Sequence, residues 1–90
     1  MPTWTEADDL KACYIYRFGT NSIPYRQEEI AYQMGRSLDA LRMRQANYEF
    51  LDTATGLSNC SRQTRNTYNS HQNTTELVLR YLAFPELRDY

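Results

Sequence analysis

Apolar positions recur at spacings of three and four along the first part of the chain: Leu10, Cys13, Tyr14 and Phe18, then a stop at Gly19. That spacing buries one stripe of an α-helix. Thr3 with Glu6 three residues later forms a capping-box pattern and Trp4 takes the first helical position, which predicts a first helix over 4–17. Thr20 to Ser22 reads as a short polar loop. Pro24 suits the first turn of a second helix, Ile30, Ala31 and Met34 supply its apolar face, Glu28 and Glu29 favour its N-terminal end, and Gly35 ends it. Ser37 then caps a third helix through about Phe50, with Asp39 in its first turn and Leu41, Tyr48 and Leu51 along one side.

Beyond it, residues 52–73 are rich in Thr, Asn, Ser and Gly and carry no sustained apolar period, so they are expected to be mostly irregular, with one turn or short helix around 61–68. Asn73 with Glu76 is a further capping-box pattern, opening a helix over Leu77, Val78, Tyr81, Leu82 and Phe84 that Pro85 ends. So short and dense a run also fits a β-strand. As a helix it places Leu77, Tyr81 and Phe84 on one face, Val78 and Leu82 on the next and Leu79 beyond, with only Arg80 and Ala83 outward, which is broader than one stripe. A homodimer through Leu77, Val78, Tyr81, Leu82 and Phe84 would cover the excess; the 52–73 segment folding over the second face would do the same in a monomer. The expected fold class is all-α, a single domain over 1–90: a small three-helix helix-turn-helix bundle, an irregular extension and a C-terminal helix.

Ninety residues hold one domain, and 41% hydrophobic residues with 13% aromatic are enough for a modest core. The longest apolar stretch is broken by Arg80 and far shorter than the roughly 20 residues of a membrane span. The N-terminus lacks a signal peptide's regions, so the expectation is a soluble, cytoplasmic protein with no membrane partner. Two cysteines, Cys13 and Cys60, and the single His71 are too few for most structural zinc sites. In a reducing compartment both cysteines are expected as free thiols rather than a disulfide, and no cofactor is expected. Cys60 and His71 lack a third orienting group for nucleophilic catalysis. The pairs Asp8-Asp9 and Glu28-Glu29 lie near helix starts, where the dipole accounts for them. No enzymatic activity is expected.

The net charge of −1 argues against indiscriminate nucleic-acid binding, but the charges are unevenly placed. Residues 1–35 carry three basic against five acidic groups, a net of −2, whereas residues 36–65 carry Arg36, Arg42, Arg44, Arg62 and Arg65 against three acidic groups, a net of +2. Nine of the ten basic residues are Arg, whose planar fork suits phosphates and base edges.

That basic middle contains Ile30-Ala31 through Gly35-Arg36-Ser37 to Ala40-Leu41, the anatomy of a helix-turn-helix. Ala31 fits a close helix crossing, Gly35 the positive φ of the turn, and Leu41 the return to the core. An ordinary helical hairpin with the same glycine stop fits equally well. At 100° per residue the third helix groups Ala40, Leu41, Tyr48 and Leu51 on one side and Leu38, Asp39, Arg42, Gln45, Ala46 and Glu49 on the other. On the second face Arg42 and Gln45 have donors and acceptors for base edges, Ala46 leaves the backbone open to approach, and Arg36 with Ser37 can hold a phosphate. Arg44 points toward the apolar side, with its stem over the core and its head at the surface. Arg62 and Arg65, three apart, can flank the recognition helix with phosphate contacts or stand as solvated surface charges, and a solvated face laced with ion pairs is the plain alternative for the whole surface.

Trp4-Thr5-Glu6, Ile30-Ala31 and the turn Met34-Gly35-Arg36-Ser37 resemble the Myb/SANT-like variety of helix-turn-helix. A longer run, Gly35-Arg36-Ser37, Ala40-Leu41, Met43-Arg44, Asn47-Tyr48, Leu51-Asp52, Gly56-Leu57-Ser58-Asn59, Ser61-Arg62 and Arg65, resembles the N-terminal domain found ahead of HNH nuclease domains in bacterial restriction-like endonucleases. The resemblance spans roughly residues 4–68. It implies a domain that helps engage DNA, with Arg36, Ser37, Arg42 and Arg44 in or beside the recognition element. The chain ends at Tyr90, where the nuclease domain would begin, and its one His falls short of HNH chemistry. The expected function is therefore double-stranded DNA binding as a regulator or targeting accessory. The alternative is a protein-interaction module, of phage or mobile-element origin, that binds a host defence or regulatory protein.

Overall fold

The computed structural model describes residues 3–89, which form an all-α bundle. Among the described residues there are five α-helices and no strand: α1 (Glu6–Phe18), α2 (Gln27–Gln33), α3 (Leu38–Thr53), α4 (Arg62–His71) and α5 (Glu76–Ala83), followed by a 3-10 turn at Pro85–Leu87. The central element is α1, which packs against α3, α4 and α5, while α2 packs on α3 and α3 on α4. Tyr14, Ile30, Leu41, Tyr48, Leu79 and Phe84 fill the interior with Ala12, Cys13 and Ala83 between them. Phe84 meets Tyr14 edge-on, at a centroid distance of 5.7 Å.

Several helix starts differ from the sequence expectation, for identifiable reasons. The cap of α1 is Thr5, which accepts from the Asp8 amide at 3.1 Å while the Asp8 carboxylate accepts from the Thr5 amide. The box Thr5-Asp8 wins over Thr3-Glu6, and Trp4 is left outside the helix, free to pack elsewhere. Pro24 precedes α2 rather than opening it: Glu29 reaches back to accept from the Arg26 amide at 3.0 Å, which fixes Arg26 as the cap. The cap of α5 is Thr75, not Asn73, because the Glu76 carboxylate is drawn away to the Tyr14 hydroxyl at 3.0 Å.

The short helix expected around 61–68 is present as α4 and runs further, to His71. The irregular part of the extension ends at Ser61, whose hydroxyl accepts from the Thr64 amide and starts the ten-residue α4. Its full extent is not legible in the sequence because its buried positions are Thr64 and Thr67, which carry no apolar period. On α5 the inward residues are Leu79 and Ala83, with Phe84 just beyond, so Phe84 belongs to the core and not to any outer face, and Ala83 is not outward. Leu77, Val78, Tyr81 and Leu82 remain exposed. No helix of the described residues is long and apolar enough to cross a membrane.

Candidate functional site

The link between α2 and α3 is a Schellman motif. The Arg36 amide bonds the Ala31 carbonyl at 2.9 Å and the Gly35 amide bonds the Tyr32 carbonyl at 3.0 Å, with Gly35 at φ +72°. A residue with a Cβ is strained at that φ, so the glycine is a backbone requirement. Ala31 and Leu41 are buried on either side of the turn, as their spacing predicts. Ser37 starts α3 by accepting from the Ala40 amide at 3.1 Å, so its hydroxyl is occupied as a cap.

Along α3 the candidate residues separate. Arg42 is exposed, and among the described residues its side chain has no hydrogen-bond or ion-pair partner. Asp39 and Met43 are exposed beside it, and Met43 borders an open groove of about 380 Å³ shared with Trp4, Ala40, Asn47 and Cys60. Gln45 is half-buried and donates to Gln27 at 2.8 Å, an engagement between α3 and α2 that a helical wheel cannot show. The Ala46 backbone is approached by the chain itself: the Leu57 amide lies 3.2 Å from the Ala46 carbonyl, and a Cβ on Gly56 would stand 2.6 Å from that oxygen. Asn47 fixes this loop by donating to the Leu57 carbonyl at 2.9 Å. The loop therefore lies over the C-terminal half of the outer face and leaves its N-terminal half open.

Arg44 occupies a different environment, with its side chain 12% exposed. It lies 3.8 Å from the Asp9 carboxylate, donates to Ser61 at 3.1 Å and to Thr64, and its guanidinium stacks 4.1 Å from the Trp4 ring centroid. Arg36 stacks on the same ring at 4.4 Å. Asp9 on α1, wholly buried, is the centre of this cluster: it accepts from Tyr48 at 2.9 Å, from Thr64 at 3.0 Å and from Gln63, whose amide also bonds the Trp4 carbonyl at 2.9 Å. A buried carboxylate is tolerated only when so paired. Sequence reasoning assigned Asp9 to the helix dipole and missed this role. The signal present in the sequence was its place within the α1 period, four residues before the buried Cys13.

Arg62 and Arg65 lie on the exposed side of α4, and among the described residues neither side chain has a hydrogen-bond or ion-pair partner. Asp52 accepts from the hydroxyls of Tyr16 at 2.7 Å and Tyr68 at 3.1 Å, tying the end of α3 to α1 and α4. Burial first, and then the bond to Asp52, pushes the Tyr16 hydroxyl far up from its ordinary value. Cys60 precedes α4 and His71 ends it, so the two stand at opposite ends of a ten-residue helix about 15 Å long. Both cysteines are free. Comparison with protein-family models, with curated proteins and with solved structures returns no match.

Proposed function

We propose that the protein is a small module for double-stranded DNA that presents the N-terminal half of α3 to the major groove. One observation carries this reading: after a tight glycine turn, the open half of α3 exposes Arg42, a bidentate donor with no partner among the described residues. Recognition helices contact base edges chiefly through their N-terminal residues, so the loop over the C-terminal half does not obstruct this use. Arg42 reads a base edge, and Arg62 and Arg65 take phosphates. Arg44, Gln45 and Ser37 support the element rather than touch DNA, because their polar groups are already engaged within the protein. The sequence resemblance to domains ahead of HNH nucleases supports the same ligand class.

Selection from a random duplex library at low and moderate salt is expected to enrich a short motif. Arg42→Ala then weakens specific binding by about 1–3 kcal/mol and relaxes preference at one base pair. Unchanged affinity and specificity in a folded variant would remove α3 as the reading element.

Protein association is a second reading, favoured by the outer face of α5, where Leu77 is 67%, Val78 51%, Tyr81 44% and Leu82 40% exposed. We assign that face to a second copy of the chain, since a two-fold pair carries two α3 helices and so doubles the contacts one complex can make with a duplex.

A further inference from the structure

We propose that the buried Asp9 cluster is a positioning device that locks α4 to α1 and α3, so that Arg62 and Arg65 are held outward on one side of α4 as a pair of phosphate contacts; this rests on the DNA-binding reading above. The sequence of α4 has almost nothing apolar with which to dock. Its buried residues are Thr64 and Thr67, and Tyr68 is only half-buried. What holds its first turn is polar: Ser61 receives Arg44 of α3, Thr64 receives Arg44 and donates to Asp9 of α1, and Gln63 donates to Asp9 and to the Trp4 carbonyl. Helical geometry couples the rest. With Gln63, Thr64 and Thr67 turned inward, Arg62 and Arg65 are turned outward, and both are exposed. The direction of these two guanidiniums is thus set by a carboxylate that no solvent reaches. Arg44 takes part as a positioning residue, held by Asp9, Ser61, Thr64 and Trp4 at once.

The sign of the effect separates positioning from simple charge. Removing a negative charge from a DNA-binding protein strengthens binding if only the long-range field matters. Losing the Asp9 cluster releases α4 and weakens binding, because the contacts of Arg62 and Arg65 go with it. The test is the slope of log affinity against log salt for the full chain on one duplex. Each phosphate contact contributes about 0.9 to that slope, so Asp9→Asn is expected to bind less tightly with a slope reduced by about 1.8, matching the Arg62→Ala/Arg65→Ala double variant. Adding Asp9→Asn to that double variant is expected to leave the slope where the double variant put it. A purely structural role lowers thermal stability but leaves the slope of folded protein alone. Gln63→Leu, which cuts the links to Asp9 and Trp4 without touching a charge, carries the same test if Asp9→Asn does not fold, and is likewise expected to flatten the slope. A wild-type slope in either folded variant overturns the coupling while leaving DNA binding intact. Absence of any salt-dependent duplex binding by the wild-type protein overturns the DNA-binding reading, and this inference with it.

Discussion

Cys13 has none of its surface exposed, and burial pushes its thiol up from 9.0 to about 11. Thiolate is the nucleophile, so at pH 8 a thiol reagent is expected to modify Cys60, which is partly exposed, and to reach Cys13 only after denaturation. Two thiols titrating at the same rate in native protein would contradict that burial. Tyr14 is shifted in the same sense, to about 12, by burial and then by its bond to the Glu76 carboxylate. Both groups hold their protons more tightly folded than unfolded. Between their unfolded values, 9.0 and 10.0, and their folded values the native state binds more protons, so stability that is fully present below pH 9 is lost as pH rises through about 11 to 12. A urea midpoint at pH 10.5 below that at pH 7.5 is the expected result, and equal midpoints would mean that neither group is perturbed by folding.

At the scale of the element, α3 is defined by what meets each end of its outer face. Gly56 sits at φ +96°, and a Cβ there would stand 2.6 Å from the Ala46 backbone oxygen, where no flexible side chain can give way. Gly56→Ala is therefore expected to cost about 2 kcal/mol or more, combining backbone strain with a contact that lifts the loop from α3. Gly35 has the same kind of φ, +72°, but nothing lies within 4 Å of its Cβ position. Gly35→Ala pays the strain alone, about 1 kcal/mol. Chemical denaturation of the two variants measures the difference, and equal losses would show that the loop does not press on the Ala46 carbonyl.

At the scale of the molecule, the exposed face of α5 sets the limits of association. Four partly exposed side chains make a patch of the few hundred Å² found as the largest on ordinary monomers. That is short of the roughly 800 Å² per partner of a standard interface. A two-fold pair through this face is therefore expected to be concentration-dependent and to dissociate in the micromolar range. Sedimentation over that range is expected to show the average mass rising with concentration, and Leu82→Glu to abolish the rise without unfolding the chain. A monomer throughout, unaffected by the substitution, would exclude the second copy as occupant.

Local rules carried much of the architecture. The three- and four-residue period of Cys13 and Tyr14, the pair Ile30-Ala31, the positive φ of Gly35, the Ser37 cap and the burial of Leu41 and Tyr48 all depend on residues close in sequence, and all are legible there. α4 was only half legible, because a helix that docks through threonines and a glutamine leaves no apolar period to find. Contacts between elements decided the rest. Glu76 left its expected cap for Tyr14, Asp52 took the hydroxyls of Tyr16 and Tyr68 from two other helices, and Phe84 turned into the core while Val78 stayed outside. The candidate surface follows the same division. The sequence determined which residues are arginines and which helix bears them. Tertiary structure decided that Arg42, Arg62 and Arg65 stand in solvent while Arg44 is bound to Asp9, since a polar group's role depends on partners that lie 20 to 55 residues away along the chain.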